Sequence, residues 1–227
     1  MPRKPRQERS RATVDAIVEA GFLCVARHGI AHTTTRHIAE AAGISVGSLY
    51  EYFTNKEDVF DAMNRRFVDD VVALIREISP QVLEKEMRGA VETLFHHFGE
   101  FLTRDDERYL KVARQVVNAD TKDYLEPISK ALTELFVQYL MRHPEYTRLK
   151  NIPTMAYIFI NSAILLVLHH LASEDPPIRF GQLSRGLADL VGTYIEHSLD
   201  DSRKGAGRAK RGRSPGRRAA GSRPRRS

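Results

Sequence analysis

Hydrophobic positions recur at steps of three and four residues along most of the chain, which is the spacing of one face of an α-helix. The first such stretch runs from Val14 to Val25 and is followed by Gly29, a residue typical of helix ends. No run of strictly alternating apolar and polar residues lies between turn signals, so no strand is predicted. The pattern therefore predicts an all-α protein of about nine helices.

A long amphipathic helix is predicted after Asn55, which is a good N-cap residue. Its apolar stripe continues to Pro80, where we expect the helix to end because proline disrupts a helix interior. Later stretches with helical periodicity cover residues 83–102, 105–117, 122–143, 154–172 and 180–199. The segment 154–172 is apolar nearly all round, which predicts burial on more than one side.

Two short helices joined by a tight turn are predicted within "TTRHIAEAAGISVGSLYEYF", residues 34–53. Thr34 and Ser45 are candidate N-caps, and Gly43 can adopt the left-handed conformation that a tight turn needs. Leu49 and Phe53 are four residues apart and anchor the second helix to a core. This arrangement predicts a helix-turn-helix, a motif that places its second helix in the DNA major groove.

The same stretch also fits G-x-S-x-G, the nucleophile elbow of esterases and lipases, with Ser45 as the nucleophile. An elbow needs a strand before the serine and a helix after it. The preceding residues "TTRHIAEAA" have a helical face and no β-branched run. We therefore interpret Ser45 as a helix cap and the chain as a protein without enzymatic activity.

Charge is unevenly distributed along the chain, whose formal net charge is +6. Residues 202–227 carry eleven Lys or Arg and no acid, and residues 1–11 carry five basic residues and one Glu. Residues 12–201 carry 19 basic and 28 acidic residues, a net charge of −9. Basic ends on an acidic body predict attraction to a polyanion through the termini. The tail has no apolar side chain larger than Ala and is expected to be disordered, either contacting DNA phosphates or only aiding solubility.

Several classes of site are disfavoured by composition. Cys24 is the single cysteine, so neither an intramolecular disulfide nor a cysteine-rich zinc site is expected. The pairs His96-His97 and His169-His170 are adjacent on helices and point about 100° apart, so neither chelates a metal alone. The N-terminus lacks the apolar region of a signal peptide, and the apolar run 155–168 is shorter than the ~18 residues of a membrane span. We expect a cytoplasmic protein without a metal or cofactor.

A set of positions from the first helix to the start of the fourth follows one known pattern, namely Gly29, Thr33-Thr34, Ile38-Ala39, Ala42-Gly43-Ile44-Ser45, Gly47-Ser48-Leu49-Tyr50, Tyr52-Phe53 and Lys56. Through these residues, the segment of roughly residues 10–70 resembles the DNA-binding domain of TetR-family transcriptional regulators. Three residues depart from the family pattern, since Val46 replaces a frequent Lys, Glu51 replaces His or an aromatic residue, and His37 replaces a common Asp or Glu.

The resemblance implies a DNA-contacting role for the residues around the turn. Val46, Gly47 and Ser48 are expected to face base edges, with Val46 suited to a thymine methyl group. Other residues are expected to contact phosphates and fix the register on the duplex. These are Thr34, Thr35, Arg36, Ser45, Tyr50, Tyr52 and Lys56.

The resemblance also implies how the chain is divided. The expected segments are a basic arm 1–8, a helix-turn-helix domain 9–70, a helical ligand-binding and dimerisation domain 71–200, and a disordered basic tail 201–227.

The implied function is a repressor that binds a palindromic operator as a homodimer and is released by a small-molecule effector. The dimer is expected to form through helices 154–172 and 180–199, and the protein to associate with the bacterial nucleoid when it is bound to DNA. Candidate pocket residues are Phe95, Phe98, Tyr109, Tyr124, Phe136, Tyr139, Tyr157 and Asn161. The alternative is a non-specific DNA-coating protein that acts through its basic tail.

Overall fold

The computed structural model describes residues 4–116, 122–173 and 175–211, and every regular element within these ranges is a helix. The described ranges contain eight α-helices and one short 3-10 helix, which confirms the predicted all-α fold. The elements are α1 Lys4–His28, α2 Thr35–Ala41, α3 Val46–Tyr50, α4 Lys56–Leu83, α5 Met87–Val116, α6 Lys122–Arg142, the 3-10 helix Pro144–Arg148, α7 Ile152–Ala172 and α8 Phe180–Arg211.

Helices α1, α2 and α3 and the start of α4 enclose a small core. Its innermost side chains include Ile17, Phe22, Ile38 and Leu49, each at most 1% exposed. Helix α1 ends as predicted, because Gly29 has φ +77° and its N–H donates to the carbonyl of Val25. These helices therefore form a compact unit at the N-terminal end of α4.

Helix α4 runs through Pro80 to Leu83, so the prediction that it ends at Pro80 is wrong. Proline in a helix interior costs ~3 kcal/mol or more. Ile78 and Val82 flank it and are buried, and burial of each such side chain contributes about 1.5–3 kcal/mol. Tertiary burial on both sides of the proline therefore offsets its local cost. The helix also crosses the predicted domain boundary at residue 70 without a break.

The C-terminal end of α4 is held by side chains from the end of α6. Tyr139 donates its hydroxyl to the Lys85 carbonyl at 3.0 Å, and His143 Nε2 lies 2.9 Å from the Leu83 carbonyl oxygen. Arg142 pairs with Glu84 at 2.7 Å. The contacts of Tyr139 and His143 satisfy carbonyl groups that the end of a helix leaves without an intrahelical partner, and the Arg142–Glu84 ion pair adds a contact between side chains.

Three segments extend further as helix than the sequence predicts. Residues 83–102 and 105–117 were expected to contain two helices, but α5 is continuous from Met87 to Val116. Helix α8 continues through residues 201–211, which were expected to be disordered. Extending a helix that is already packed costs less free energy than forming the first turn of a new one. Helix α1 begins at Lys4, within the predicted arm, and the remaining tail 212–227 lies outside the described residues.

Tyr109 of α5 joins the two parts of the molecule. Its buried ring stacks on Phe101 at 4.6 Å between centroids and meets Phe22 of α1 edge-on at 5.2 Å. Its hydroxyl donates to Asp70 of α4 at 2.6 Å. Asp70 also accepts from Arg66 and raises the pKa of that guanidinium, which stays a cation. The aromatic and charged contacts together fix α5 against both α1 and α4.

Helix α8 is attached to the start of α5 through Arg88. This side chain pairs with Asp189 and, at 3.8 Å, with Glu196. A Cβ atom on Gly192 would lie only 3.1–3.3 Å from atoms of Arg88. The absence of a side chain at residue 192 therefore lets the guanidinium cross the surface of α8 between its two acidic partners.

Helix α7 is only partly covered within one chain. Val167 and Leu171 are buried, whereas Tyr157 is 72% and Leu165 is 61% exposed. Among the described residues, α7 is the one helix long and apolar enough to cross a membrane by length and composition. The sequence predicted burial of α7 on more than one side, whereas in a single chain one apolar side of the helix is exposed to solvent.

Gly21 sets the distance between α1 and α4. A Cβ atom there would lie 2.6 Å from Met63 Sδ and 3.3 Å from Val59 Cγ1, and both neighbours are buried. We expect Gly21→Ala to lower the free energy of unfolding by about 1–3 kcal/mol through overpacking. The matched control is Gly186→Ala, where a Cβ meets nothing within 4 Å and helix propensity should stabilise by about 0.5–1 kcal/mol. Urea unfolding measures both, and equal effects would contradict the close crossing.

Candidate nucleic-acid interface

The turn between α2 and α3 depends on a left-handed residue. Gly43 has φ +69°, a conformation that side chains with a Cβ rarely adopt. Its N–H donates to the Glu40 carbonyl at 3.1 Å, and the next N–H, of Ile44, donates to the Ala39 carbonyl at 3.0 Å. These bonds close α2 and redirect the chain, as the sequence predicted for this glycine.

Side-chain caps define where the short helices begin. Thr34 accepts from the His37 N–H at 3.2 Å, and Ser45 accepts from the Ser48 N–H at 3.0 Å. Both residues have extended backbone conformations, as N-caps do. The predicted roles of Thr34 and Ser45 as N-caps are confirmed.

Packing of α2 and α3 determines which residues face outward. Ile38, Ala39 and Leu49 are buried and hold the two helices on the core. Val46 is 36% and Tyr50 is 52% exposed, and Gly47 is exposed beside them. Helix α3 therefore presents to solvent the small residues of its N-terminal turn and Tyr50 at its C-terminal end.

A hydrogen bond between the two short helices was not anticipated from the sequence. Thr35 Oγ1 and the Tyr50 hydroxyl lie 3.3 Å apart. The contact spans 15 residues, so no local pattern could indicate it. It orients the exposed Tyr50 side chain against the start of α2, next to the exposed Arg36.

A third cap positions Lys56. Asn55 accepts from the Asp58 N–H at 2.8 Å, and Asp58 accepts in return from the Thr54 N–H at 2.9 Å. This reciprocal pair fixes the start of α4. Lys56 follows at once with its ammonium 5.9 Å from the Phe60 ring centroid, and Tyr52 lies half-buried in the preceding turn.

The surroundings of Ser45 do not form a nucleophile elbow. Helix α2 precedes the serine, and the described ranges contain no strand to support a strained turn. The Ser45 hydroxyl lies 3.0 Å from that of Ser48 and accepts the capping bond from the Ser48 N–H. The geometry is that of a helix start, and the G-x-S-x-G match is a coincidence of spacing.

A second site is an apolar cavity of about 310 Å³ between α4, α5, α6, α7 and α8. Its α4 wall extends from Asn64 to Val82, roughly 27 Å at 1.5 Å per residue. Lys150 is the only charged residue among those described that line it. The candidate pocket residues in the lining are Phe95, Phe98, Tyr124, Phe136 and Tyr139.

Three candidate pocket residues lie elsewhere, so their predicted place in the pocket is corrected. Tyr109 is at the junction with α1, outside the lining. Tyr157 is exposed on the outer side of α7, and Asn161 donates to the Tyr157 carbonyl at 2.8 Å. Because α7 is apolar nearly all round, its sequence does not indicate which face turns inward. In the fold that face carries Met155 and Phe159.

The histidine pairs do not gather other ligands in the part of the chain that is described. Within those residues no group of three His, Cys, Asp or Glu side chains is placed to hold a metal. The rings of His96 and His97 are nearly perpendicular, with an interplanar angle of 83°. Cys24 is buried, and burial raises the pKa of its thiol.

Two capped short helices, a left-handed glycine between them and an exposed α3 face define a helix-turn-helix DNA-binding domain. Residues 12–63 match the model of the bacterial regulatory proteins of the tetR family. Residues 12–63 therefore resemble the DNA-binding domain of the tetR family.

The sequence is similar to the HTH-type transcriptional repressor KstR2 of Mycobacterium tuberculosis. The two are 28% identical over 130 residues, which cover 55% of this chain and 62% of that protein. The chain thus spans about three fifths of the length of this curated relative.

The fold is similar to two solved structures. One is a protein of Mesorhizobium loti assigned to the TetR family, with TM-score 0.63 and 21% identity over 82% of this chain and 96% of that one. The other is the fatty acid degradation regulator FadR of Bacillus halodurans, with TM-score 0.60 and 21% identity over 78% of this chain and 93% of that one. The shared fold extends beyond the matched domain into the C-terminal helices.

The capping role of Ser45 is tested by two substitutions. We expect Ser45→Ala to lower the free energy of unfolding by about 0.5–2 kcal/mol because the Ser48 N–H loses its acceptor. Ser45→Thr keeps a capping hydroxyl and should lose much less. Thermal unfolding compares the two variants, and an equal loss would show that the hydroxyl does not cap. An ester-hydrolysis assay on the same proteins should detect no activity in any of them.

Proposed function

We propose that this protein is a sequence-specific transcriptional repressor that binds a palindromic operator as a homodimer and is released by a small apolar effector. The main observation behind this proposal is the exposed start of α3, which is fixed by its own N-cap and by the capped helix α2 before it. The match of residues 12–63 to the bacterial regulatory proteins of the tetR family supports it. The similar protein KstR2 is a transcriptional repressor, and this supports repression rather than activation for the present protein.

The proposed DNA contacts divide into two groups. Val46, Gly47 and Ser48 lie at the N-terminal turn of α3, the end of a recognition helix that reads base edges. The residues proposed to contact phosphates surround this turn, and two of them are linked by the Thr35–Tyr50 hydrogen bond. This second group is Thr34, Thr35, Arg36, Ser45, Tyr50, Tyr52 and Lys56.

The exposed apolar surface of α7 and α8 supports a dimer. Tyr157 and Leu165 on α7 and Leu190 on α8 are each more than half exposed. A second copy would remove this surface from water, which stabilises association in proportion to the area buried. Association of two copies also accounts for the membrane-like composition of α7 in a protein proposed to act on cytoplasmic DNA.

The apolar cavity supports a hydrophobic effector. Its volume of about 310 Å³ is at the lower end of known ligand pockets. Polar side chains at its ends, Asn64 and Tyr124 near the DNA-binding domain and Lys150 far from it, could orient such a molecule. An effector that binds better to one arrangement of α4 would shift the protein toward that arrangement.

Selection of bound sequences from random DNA tests the repressor proposal. We expect a palindromic consensus that is retained when residues 212–227 are removed. Lys56→Ala should weaken binding on all sequences alike and lower the salt slope by about one, whereas Val46→Ala should relax preference at one base pair per half-site. Fluorescence anisotropy at several salt concentrations measures both variants. Binding without sequence preference would instead favour the DNA-coating alternative.

The proposed dimer surface is tested by charge substitutions. We expect Tyr157→Glu and Leu165→Glu, two exposed residues of α7 outside the cavity lining, each to shift the protein toward monomer, because a carboxylate on that surface would lose its hydration on association. Sedimentation velocity measures the shift as a rise of at least tenfold in the dimer dissociation constant. The control is Met141→Glu, an 80% exposed apolar residue on α6 outside the surface. A dimer equally weakened by the control, or unchanged by all three substitutions, would contradict this interface.

A further inference from the structure

A polar contact of Tyr124 joins the lining of the cavity to the residues that match the family domain. Tyr124, near the start of α6, donates its hydroxyl to Asp61 Oδ1 of α4 at 3.0 Å. Tyr124 lines the apolar cavity, and Asp61 lies within the residues 12–63 that match the family domain. Both residues are half-buried. A single side chain thus touches the proposed effector site and the DNA-binding unit.

The position of Asp61 on α4 favours transmission toward DNA. The cavity wall on α4 begins at Asn64, three residues further on, and the proposed phosphate contact Lys56 lies five residues before Asp61. At 1.5 Å per residue these positions are within roughly 5–8 Å of Asp61 along the axis of α4. A displacement at Asp61 would therefore occur close to both the cavity wall at Asn64 and the proposed phosphate contact Lys56.

The chemistry of the contact makes it responsive to the contents of the cavity. A hydrogen bond to an ionised carboxylate is about twice as strong as a neutral one, so Asp61 holds the Tyr124 ring in one orientation. A ligand that fills the space beside the ring must accept that orientation or displace it. Displacement leaves a half-buried carboxylate to find another donor, and a change in the position of α4 can provide one.

The other tyrosine contact at this junction has a different place. Tyr109 donates to Asp70, but its ring packs among Phe22, Phe67 and Phe101 and is not part of the cavity lining. A ligand in the cavity does not reach it directly. We therefore expect the Tyr109–Asp70 contact to stay in place when α4 moves, and the Tyr124–Asp61 contact to change.

We propose that Tyr124 couples occupancy of the apolar cavity to the DNA-binding domain through its hydrogen bond to Asp61. This proposal rests on the proposed function, since it needs both an effector and an operator. Binding of the effector breaks the Tyr124–Asp61 bond, α4 shifts, and affinity for the operator falls. Reciprocity requires that bound operator weaken the binding of the effector by the same factor.

The test uses N-phenyl-1-naphthylamine, a neutral apolar dye that fluoresces when it leaves water, on the full chain. Its dissociation constant is measured with and without saturating operator DNA selected as above, and the ratio of the two is the coupling factor. For the unmodified protein we expect a factor of at least about five. Tyr124→Phe keeps the ring but removes the hydroxyl, and should lower the factor to less than about two.

Tyr139→Phe is the matched control. Tyr139 also lines the cavity and also donates its hydroxyl to the region of α4, but to the Lys85 carbonyl at the opposite end. We expect the coupling factor of this variant to stay within about twofold of the unmodified value. Asp61→Ala should reproduce Tyr124→Phe, and the double variant should be no worse than either alone, because the two residues act through one contact.

The possible outcomes separate the two proposals. Dye that binds the unmodified protein but is indifferent to operator, or dye that does not bind, would overturn both the effector-released repressor and the role of Tyr124. Coupling that persists in Tyr124→Phe would overturn only the role of Tyr124. A loss of coupling in Tyr139→Phe of equal size would also overturn it, since any hydroxyl in the cavity would then suffice. Because the dye no longer has to break the Tyr124–Asp61 bond, Tyr124→Phe should bind the dye without DNA at least as tightly as the unmodified protein does.

Discussion

Burial of α4 in two different cores is the constraint on which the rest of the structure depends. Its first turns pack against α1, where Gly21 permits a close crossing over Met63, and its later turns pack against α5 and α6. The helix is held at its start by the Asn55 cap and at its end by Tyr139. Because one rigid element belongs to both halves, neither half can shift along it without disturbing the other.

Polar contacts on α4 determine how closely the two halves are connected. Tyr109 and Tyr124 each donate to a carboxylate of α4, but from different surroundings. The first lies in a cluster of aromatic rings and the second beside an apolar cavity. Dense aromatic packing resists displacement, whereas the edge of a cavity can change when the cavity is filled. The junction thus combines one contact inside a packed aromatic cluster with one at the edge of the cavity.

Much of the helix-turn-helix formed by α2 and α3 could be predicted from the sequence. The caps at Thr34, Ser45 and Asn55 and the turn at Gly43 depend on interactions within five residues, so local chemistry indicates them. The Thr35–Tyr50 hydrogen bond could not be predicted, because it joins residues that only the folded turn brings together. In the regulatory part, the aromatic residues expected at the pocket divided between the cavity, the junction and the outer surface. Composition does not encode the rotation of an all-apolar helix such as α7.

The sequence by itself determined the helical class, the helix-turn-helix and its caps, because hydrophobic periodicity and short-range hydrogen bonding are properties of neighbouring residues. Only the tertiary structure decided that α4 continues through Pro80, since burial of Ile78 and Val82 outweighs the local cost of proline. It also decided that Tyr109 of α5 packs against α1 while Tyr124 of α6 lines a cavity. What distinguishes the two tyrosines is the packing that surrounds each ring after distant helices meet.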